Sequence, residues 1–270
     1  IWTEEARLTD PTGSTFDNFG RSISISENTI VIGSSDKAPG GSVLIYEFVS
    51  GNWLFQGEFS ETAANKSFGQ SVELENNRMI VGSPGSAGRR IYIYEKIGGV
   101  WQQVFTNGNT QIENYGEKVS ISGDWAAVGV GSAGIFTNVH LYRYNGTQWN
   151  YYDSPEIKGC SNNYSDLQIS GDVLVIGSSS CGIGENEFAG TVYILRKITF
   201  PNNAVTWRQI ARVIPRDVKE HRNFGISVAN DGATILAGTN ISDGGGVYKV
   251  DTSTIDLIEE NILPPELTPD

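Results

Sequence analysis

Several things are scarce in this 270-residue chain. It holds one Met, two His and two Cys, and no apolar stretch approaches the roughly 18 residues that a helix needs to cross a bilayer. Two imidazoles leave little room for a histidine-rich metal centre or for histidine acid–base chemistry. Two cysteines, Cys160 and Cys181, are too few for a disulfide scaffold but enough for one staple in an oxidising compartment. Basic residues number 19 against 31 acidic ones, a net charge of −12. Such a summed field repels polyanions and gives no footing for phosphate-backbone binding through counterion release, so nucleic acid is not the expected partner. Ile1 is not an initiator Met, so the chain reads as a processed or excised piece whose signals lie elsewhere.

Glycine, in contrast, is abundant at 32 residues, and aromatic residues make up 10% of the chain. That composition suits many short strands joined by tight turns. A self-similar unit recurs, with a constant spacing of 13 from an early glycine to a later one: Gly20 to Gly33, Gly69 to Gly82, Gly116 to Gly129 and Gly225 to Gly238. An aromatic residue precedes the first glycine in Phe19-Gly20, Phe68-Gly69, Tyr115-Gly116 and Phe224-Gly225, while the fourth unit has Asn163-Tyr164 there and keeps Gly177. Between the glycines stand an alternating run, such as Ser22 to Ile25, and an apolar run, such as Ile30 to Ile32. Period-two alternation marks a half-buried strand and a β-branched run a buried one, and Glu27-Asn28 or Gly123-Asp124 supplies hairpin chemistry between them. A third strand (Val43 to Tyr46 and its equivalents) and a fourth led by Trp53, Trp101, Trp149 or Trp207 complete each unit.

Four antiparallel strands at a period of about 48 residues are the signature of propeller blades. The Phe-Gly pairs and the Gly82-Ser83-Pro84 stretch resemble the FG-GAP repeat of integrin alpha-chain heads. The resemblance covers residues 1 to about 251, and five such units give an all-β fold, a five-bladed β-propeller over residues 1–251; residues 252–270, with Glu259, Glu260, Pro264, Pro265 and Pro269, read as an acidic, Pro-containing tail or linker. The fifth unit lacks its own Trp-led strand, and Trp2 to Leu8 matches that pattern, so the N-terminal strand is expected to close the last blade and remove two open sheet edges. Calcium-binding members of the family carry alternating Asp or Asn residues in the first hairpin loop; those hairpins here span only two to four residues, so neither a metal nor a cofactor is expected.

Candidate chemistry is sparse. His140 aligns with Leu44, Tyr92, Tyr193 and Tyr248 and reads as a strand position, and His221 as a loop residue. Glu73, Glu117 and Asp166 fall on or near first strands, where some five-bladed glycosidases hang acid pairs, but at different repeat positions. The repeat-equivalent tryptophans read as packing rings, as does Trp125. Loops from second to third strand vary most in length and charge, the usual place for recognition on a rigid scaffold. They display Asp36, Lys37, Arg89, Arg90, Phe136, Asn138, Glu185, Glu187 and Asp243. Cys160 and Cys181 enter and leave the first two strands of the fourth unit at one end, which pairs them as a disulfide closing a loop of about 20 residues, with roughly 3 kcal/mol of stabilisation. Sequons stand at Asn65, Asn145, Asn163 and Asn240, and with Ser and Thr so frequent several arise by chance. These features point to an extracellular or cell-surface recognition or adhesion module for a protein or glycan, in preference to a glycan-processing enzyme or a structural unit of a surface assembly.

Overall fold

The computed structural model describes residues 3–109, 111–112, 114–132, 135–159, 164–182, 188–214, 223–240 and 245–252, with nothing said of the side chains of 132 and 135–137. Two compact units divide the chain, Ile1–Tyr152 and Asp153–Asp270. The first holds three sheets. One is β1 (Phe19–Ser26), β2 (Thr29–Ser34), β3 (Ser42–Val49) and β4 (Asn52–Ser60); the next is β5 (Ser71–Glu75), β6 (Arg78–Ser83), β7 (Arg90–Ile97) and β8 (Val100–Gly108); the third is β9 (Val119–Ser122), β10 (Trp125–Ser132), β11 (Ile135–Tyr144) and β12 (Trp149–Asp153). The second unit has β13 (Asp166–Ser170), β14 (Val173–Ser178), β15 (Thr191–Thr199) and β16 (Val205–Val213) in one sheet, and β17 (Val228–Asn230), β18 (Thr234–Thr239) and β19 (Gly246–Asp251) in the other. In every sheet the strands lie side by side in sequence order, a meander of antiparallel hairpins.

Second and third strands form the core. Val31, Val43, Met79, Ile80, Val81, Ile91, Ile93, Leu174, Val175, Ile176 and Ile194 are all fully buried, as their continuous apolar runs require. Side chains from one sheet fill the space against the next. Phe68, Val72 and Leu74 of the second sheet pack on Val31, Val43 and Ile45 of the first, and Trp149 of the third packs on Ile80, Ile91 and Ile93 of the second.

The 13-residue glycine spacing has a steric cause. A Cβ on Gly33 would stand 2.0 Å from the carbonyl oxygen of Gly69, and the same clash, also at 2.0 Å, would join Gly82 to Gly116 and Gly177 to Gly225. In these three pairs the later glycine is thus the surface on which the earlier glycine of the following sheet rests. The earlier glycines also have φ between +84° and +87°, where side chains are strained. The aromatic residue before them is buried edge-on against a ring of its own third strand: Phe68 on Tyr92 at 5.1 Å, Tyr115 on His140 at 6.0 Å, Phe224 on Tyr248 at 5.2 Å. Tyr164 keeps this packing on Tyr193, so the drifted fourth unit preserves the aromatic contact.

At the N-terminus the structure differs from expectation. Among the described residues the fifth sheet has three strands, and residues 3–10 lie in no strand. Leu8 instead packs on the Ile32, Leu44 and Tyr46 cluster of the first sheet, and the Tyr46 hydroxyl donates to the Thr9 carbonyl at 2.7 Å. Trp2 and residues 253–270, the tail included, lie outside the described residues.

Candidate recognition site

First strands decide what their carboxylates are for. Each first strand is an edge of its own sheet, so every other N–H points away from its partner strand and needs an acceptor. Within each of the two units, the preceding sheet supplies one from its own first strand. Ser24 and Ser26 accept from Leu74 and Asn76; Ser71 accepts from Val119 at 3.2 Å and Glu73 from Ile121 at 2.6 Å; Glu75 accepts from Gly123. In the second unit Asp166 accepts from Val228 at 2.9 Å and Gln168 from Asn230 at 2.6 Å. Glu117 accepts from the Gln70 side chain at 3.3 Å. Each carboxylate considered for acid catalysis therefore holds a hydrogen bond between elements of the fold. His140 is half-buried against Tyr115, and burial lowers its pKa. Trp125 is buried edge-on against Tyr152 with Arg143 over its ring. His221 lies outside the described residues.

The loop end of the first sheet is built from residues 9–18 and 35–41. Lys37, a candidate contact by sequence, is turned inward. Its ammonium is bound by Asp10 at 2.8 Å, Glu58 at 3.0 Å and the Thr12 hydroxyl at 2.8 Å, and only 11% of its side chain is exposed. Burial would lower this ammonium's pKa, but its hydrogen bonds to both carboxylates outweigh it and raise the value. Burial likewise pushes the Asp10 carboxyl up, yet Lys37 and Thr12 hold it below the usual carboxylate range. Tyr46, beneath this network, is pushed up to about 12 by burial and by the charges of Asp10 and Glu58. Asp36, in contrast, is exposed, and takes a 2.6 Å hydrogen bond from the Asn18 amide.

Beside that pair stands a residue that sequence reasoning passed over. Phe16 is 88% exposed at φ +79°, a backbone region costly for a side chain of its size. Neighbouring Asp17 fixes the turn: its carboxylate accepts from the Ser14 backbone and hydroxyl, and its carbonyl accepts from the Ser34 hydroxyl and the Asp36 N–H. No hydrophobic periodicity marks position 16; the signal that existed was an aromatic residue inside a Ser, Thr, Asp and Asn stretch.

In the second sheet Arg90 is exposed at the start of β7, while Arg89 is half-buried at φ +49° with its N–H on the Gly85 carbonyl. Asn138 is exposed, and its side chain accepts from the N–H of Val139. In the second unit Phe188 is 43% exposed and Cys181 is 2% exposed, its carbonyl accepting from Gly190 at 2.9 Å. Cys160, Asn163, Glu185, Glu187 and Asp243 lie outside the described residues. No cluster of His, Cys, Asp and Glu that would hold a metal occurs among the described residues.

Five antiparallel sheets, meander order and first-strand caps define the class: a five-bladed β-propeller with no helix among the described strands. A family model described as FG-GAP repeat matches residues 2–46 and 207–250, each match opening on a tryptophan and reaching its Phe-Gly pair at the same distance. These two matches cover about a third of the chain and support an FG-GAP β-propeller. No curated protein matches it. Solved structures of similar fold include hydrazine synthase of Kuenenia stuttgartiensis (TM-score 0.53, 14% identity, 80% of this chain and 60% of that one) and Saccharomyces cerevisiae Sqt1 (0.51, 11%, 95% and 64%). A third is the computationally designed Ika8 protein (0.50, 13%, 86% and 58%). The chain spans less than two thirds of each of these, and at such identities the likeness is one of fold. That fold is consistent with a protein-binding module. No helix is long and apolar enough to cross a membrane among the described residues.

Proposed function

We propose that this propeller is an extracellular or cell-surface recognition module that binds a protein or glycan through the loop ends of its sheets. The observation that carries the reading is Phe16, an exposed aromatic ring held out at a strained backbone beside the Asn18 and Asp36 pair. Exposed aromatic residues on a rigid support are the usual energetic centres of interfaces, because little side-chain freedom is lost on binding. FG-GAP repeats are typical of extracellular proteins, which supports the location. Cys160 and Cys181 would then form the staple of the fourth unit, which thiol titration of the unreduced protein checks.

The test is binding of the purified chain to immobilised extracellular-matrix proteins and glycans. Phe16→Ala and Asp36→Lys should each weaken the strongest interaction about tenfold or more, on the order of 1.4 kcal/mol, while unfolding as the parent does. Equal binding by parent and both variants would remove this end of the first sheet as the contact. The glycan-processing alternative makes a separate forecast. Release of reducing ends from the same glycans, lost in Glu73→Gln with the fold intact, would establish turnover in place of recognition.

A further inference from the structure

We propose that Asn145 is a site of N-linked glycosylation, an inference that rests on the extracellular reading. Of the four sequons, Asn163 lies outside the described residues, and the +2 Ser242 of the Asn240 sequon does too. The other two, at Asn65 and Asn145, are exposed and differ in geometry.

Asn145 opens the turn between β11 and β12, and residues 145–148 are all exposed. Its side-chain Oδ1 accepts three hydrogen bonds: from the Thr147 N–H at 3.0 Å, the Thr147 hydroxyl at 2.8 Å and the Gln148 N–H at 2.9 Å. The backbone closes the same turn, Asn145 N–H donating to the Gln148 carbonyl at 3.1 Å, and Gly146 meets its φ of +95° without strain. Oδ1 takes all three bonds while Nδ2 makes none among the described residues, and the hydroxyl at the +2 position donates to the same side-chain amide that would be modified. Asn65 shows no such contact with Ser67; both are at positive φ, and the Asn65 carbonyl is tied to the Ala87 N–H.

The transfer is balanced as follows. Nδ2 of Asn145 forms a bond to the anomeric carbon of an oligosaccharide carried on a lipid diphosphate. The anomeric C–O bond breaks, the lipid diphosphate leaves with its electron pair, and the amide nitrogen loses one proton. Placement favours the modification. The β11–β12 turn lies at the same end of the third sheet as the β9–β10 turn, Tyr144 donating to the Asp124 carbonyl at 2.9 Å, which is opposite the loops from second to third strand. A glycan there leaves the loop end of its sheet uncovered, whereas Asn65 sits in the connection that packs against the loop preceding β7.

The experiment adds a secretory leader to the chain, expresses it in eukaryotic cells, releases glycans enzymatically in heavy-oxygen water and follows the peptide containing Asn145 by mass spectrometry. Asn145 should be occupied in most secreted molecules, with occupancy lost in Thr147→Val and retained in part in Thr147→Ser. A secreted, folded parent chain with Asn145 unmodified overturns the proposal, whether or not Asn65 is occupied. Because the leader is supplied, that result would leave the recognition reading standing, and unchanged binding by Phe16→Ala would leave the glycan result standing.

Discussion

Gly33 illustrates how a single position serves two units at once. The Gly69 carbonyl rests 2.0 Å from where its Cβ would be, and the Ser22 hydroxyl of the paired strand 2.4 Å from it. Backbone must move to relieve a contact of 2.0 Å, so Gly33→Ala should destabilise by about 3 kcal/mol, at the upper end for overpacking. Gly57, which has no atom within 4 Å of its ideal Cβ, is the control, and Gly57→Ala should cost under about 1 kcal/mol. Urea unfolding of the two variants separates the cases, and equal costs would remove the steric account of the repeat. His140 is the complementary example. It occupies a place that Tyr92, Tyr193 and Tyr248 fill in other units, as its alignment indicated, and its ring meets Tyr115 as theirs meet Phe68, Tyr164 and Phe224.

Among elements, the first strands depend on caps from their neighbours. Glu73→Ala would leave the Ile121 N–H without its 2.6 Å acceptor, at a cost of about 1 to 3 kcal/mol, while Glu73→Gln keeps a carbonyl oxygen and should cost less. Matching denaturation midpoints for Glu73→Ala and the parent would show the cap to be unimportant. The N-terminal segment depends on charge instead. The Asp10 carboxyl is held below its ordinary value, so its contribution is complete above the unfolded pKa of about 4 and is lost as pH falls through the folded value. Lys37 is raised, so its contribution is complete below about 10.4 and is lost as pH rises through its own folded value. Proteolysis of residues 3–13 should therefore be slow from about pH 5 to 10 and accelerate in acid. Lys37→Met should abolish the acid protection step; an unchanged pH profile in that variant would show that the pair does not hold the segment.

For the whole molecule, the net charge of −12 predicts association behaviour more than fold. A basic partner should associate faster at low ionic strength and slow as salt rises past about 0.1 M, where the screening length falls to about 10 Å. Salt-independent association rates would indicate a contact governed by Phe16 and not by the acidic field. Strand order, hairpin turns, the tryptophan positions of the first four sheets and the glycine spacing were all legible in the sequence, because each is a local or periodic consequence of backbone geometry repeated from unit to unit. Lys37, Phe16 and the alternating Ser, Glu and Asp residues of the first strands were not. By sequence a loop lysine, a loop phenylalanine and a polar strand face have the same local appearance whether solvated or engaged. Tertiary structure brought Asp10 and Glu58 to Lys37, turned Phe16 outward, and set a neighbouring edge N–H against Glu73, because the partners that decide these roles lie 21 to 48 residues away in the chain.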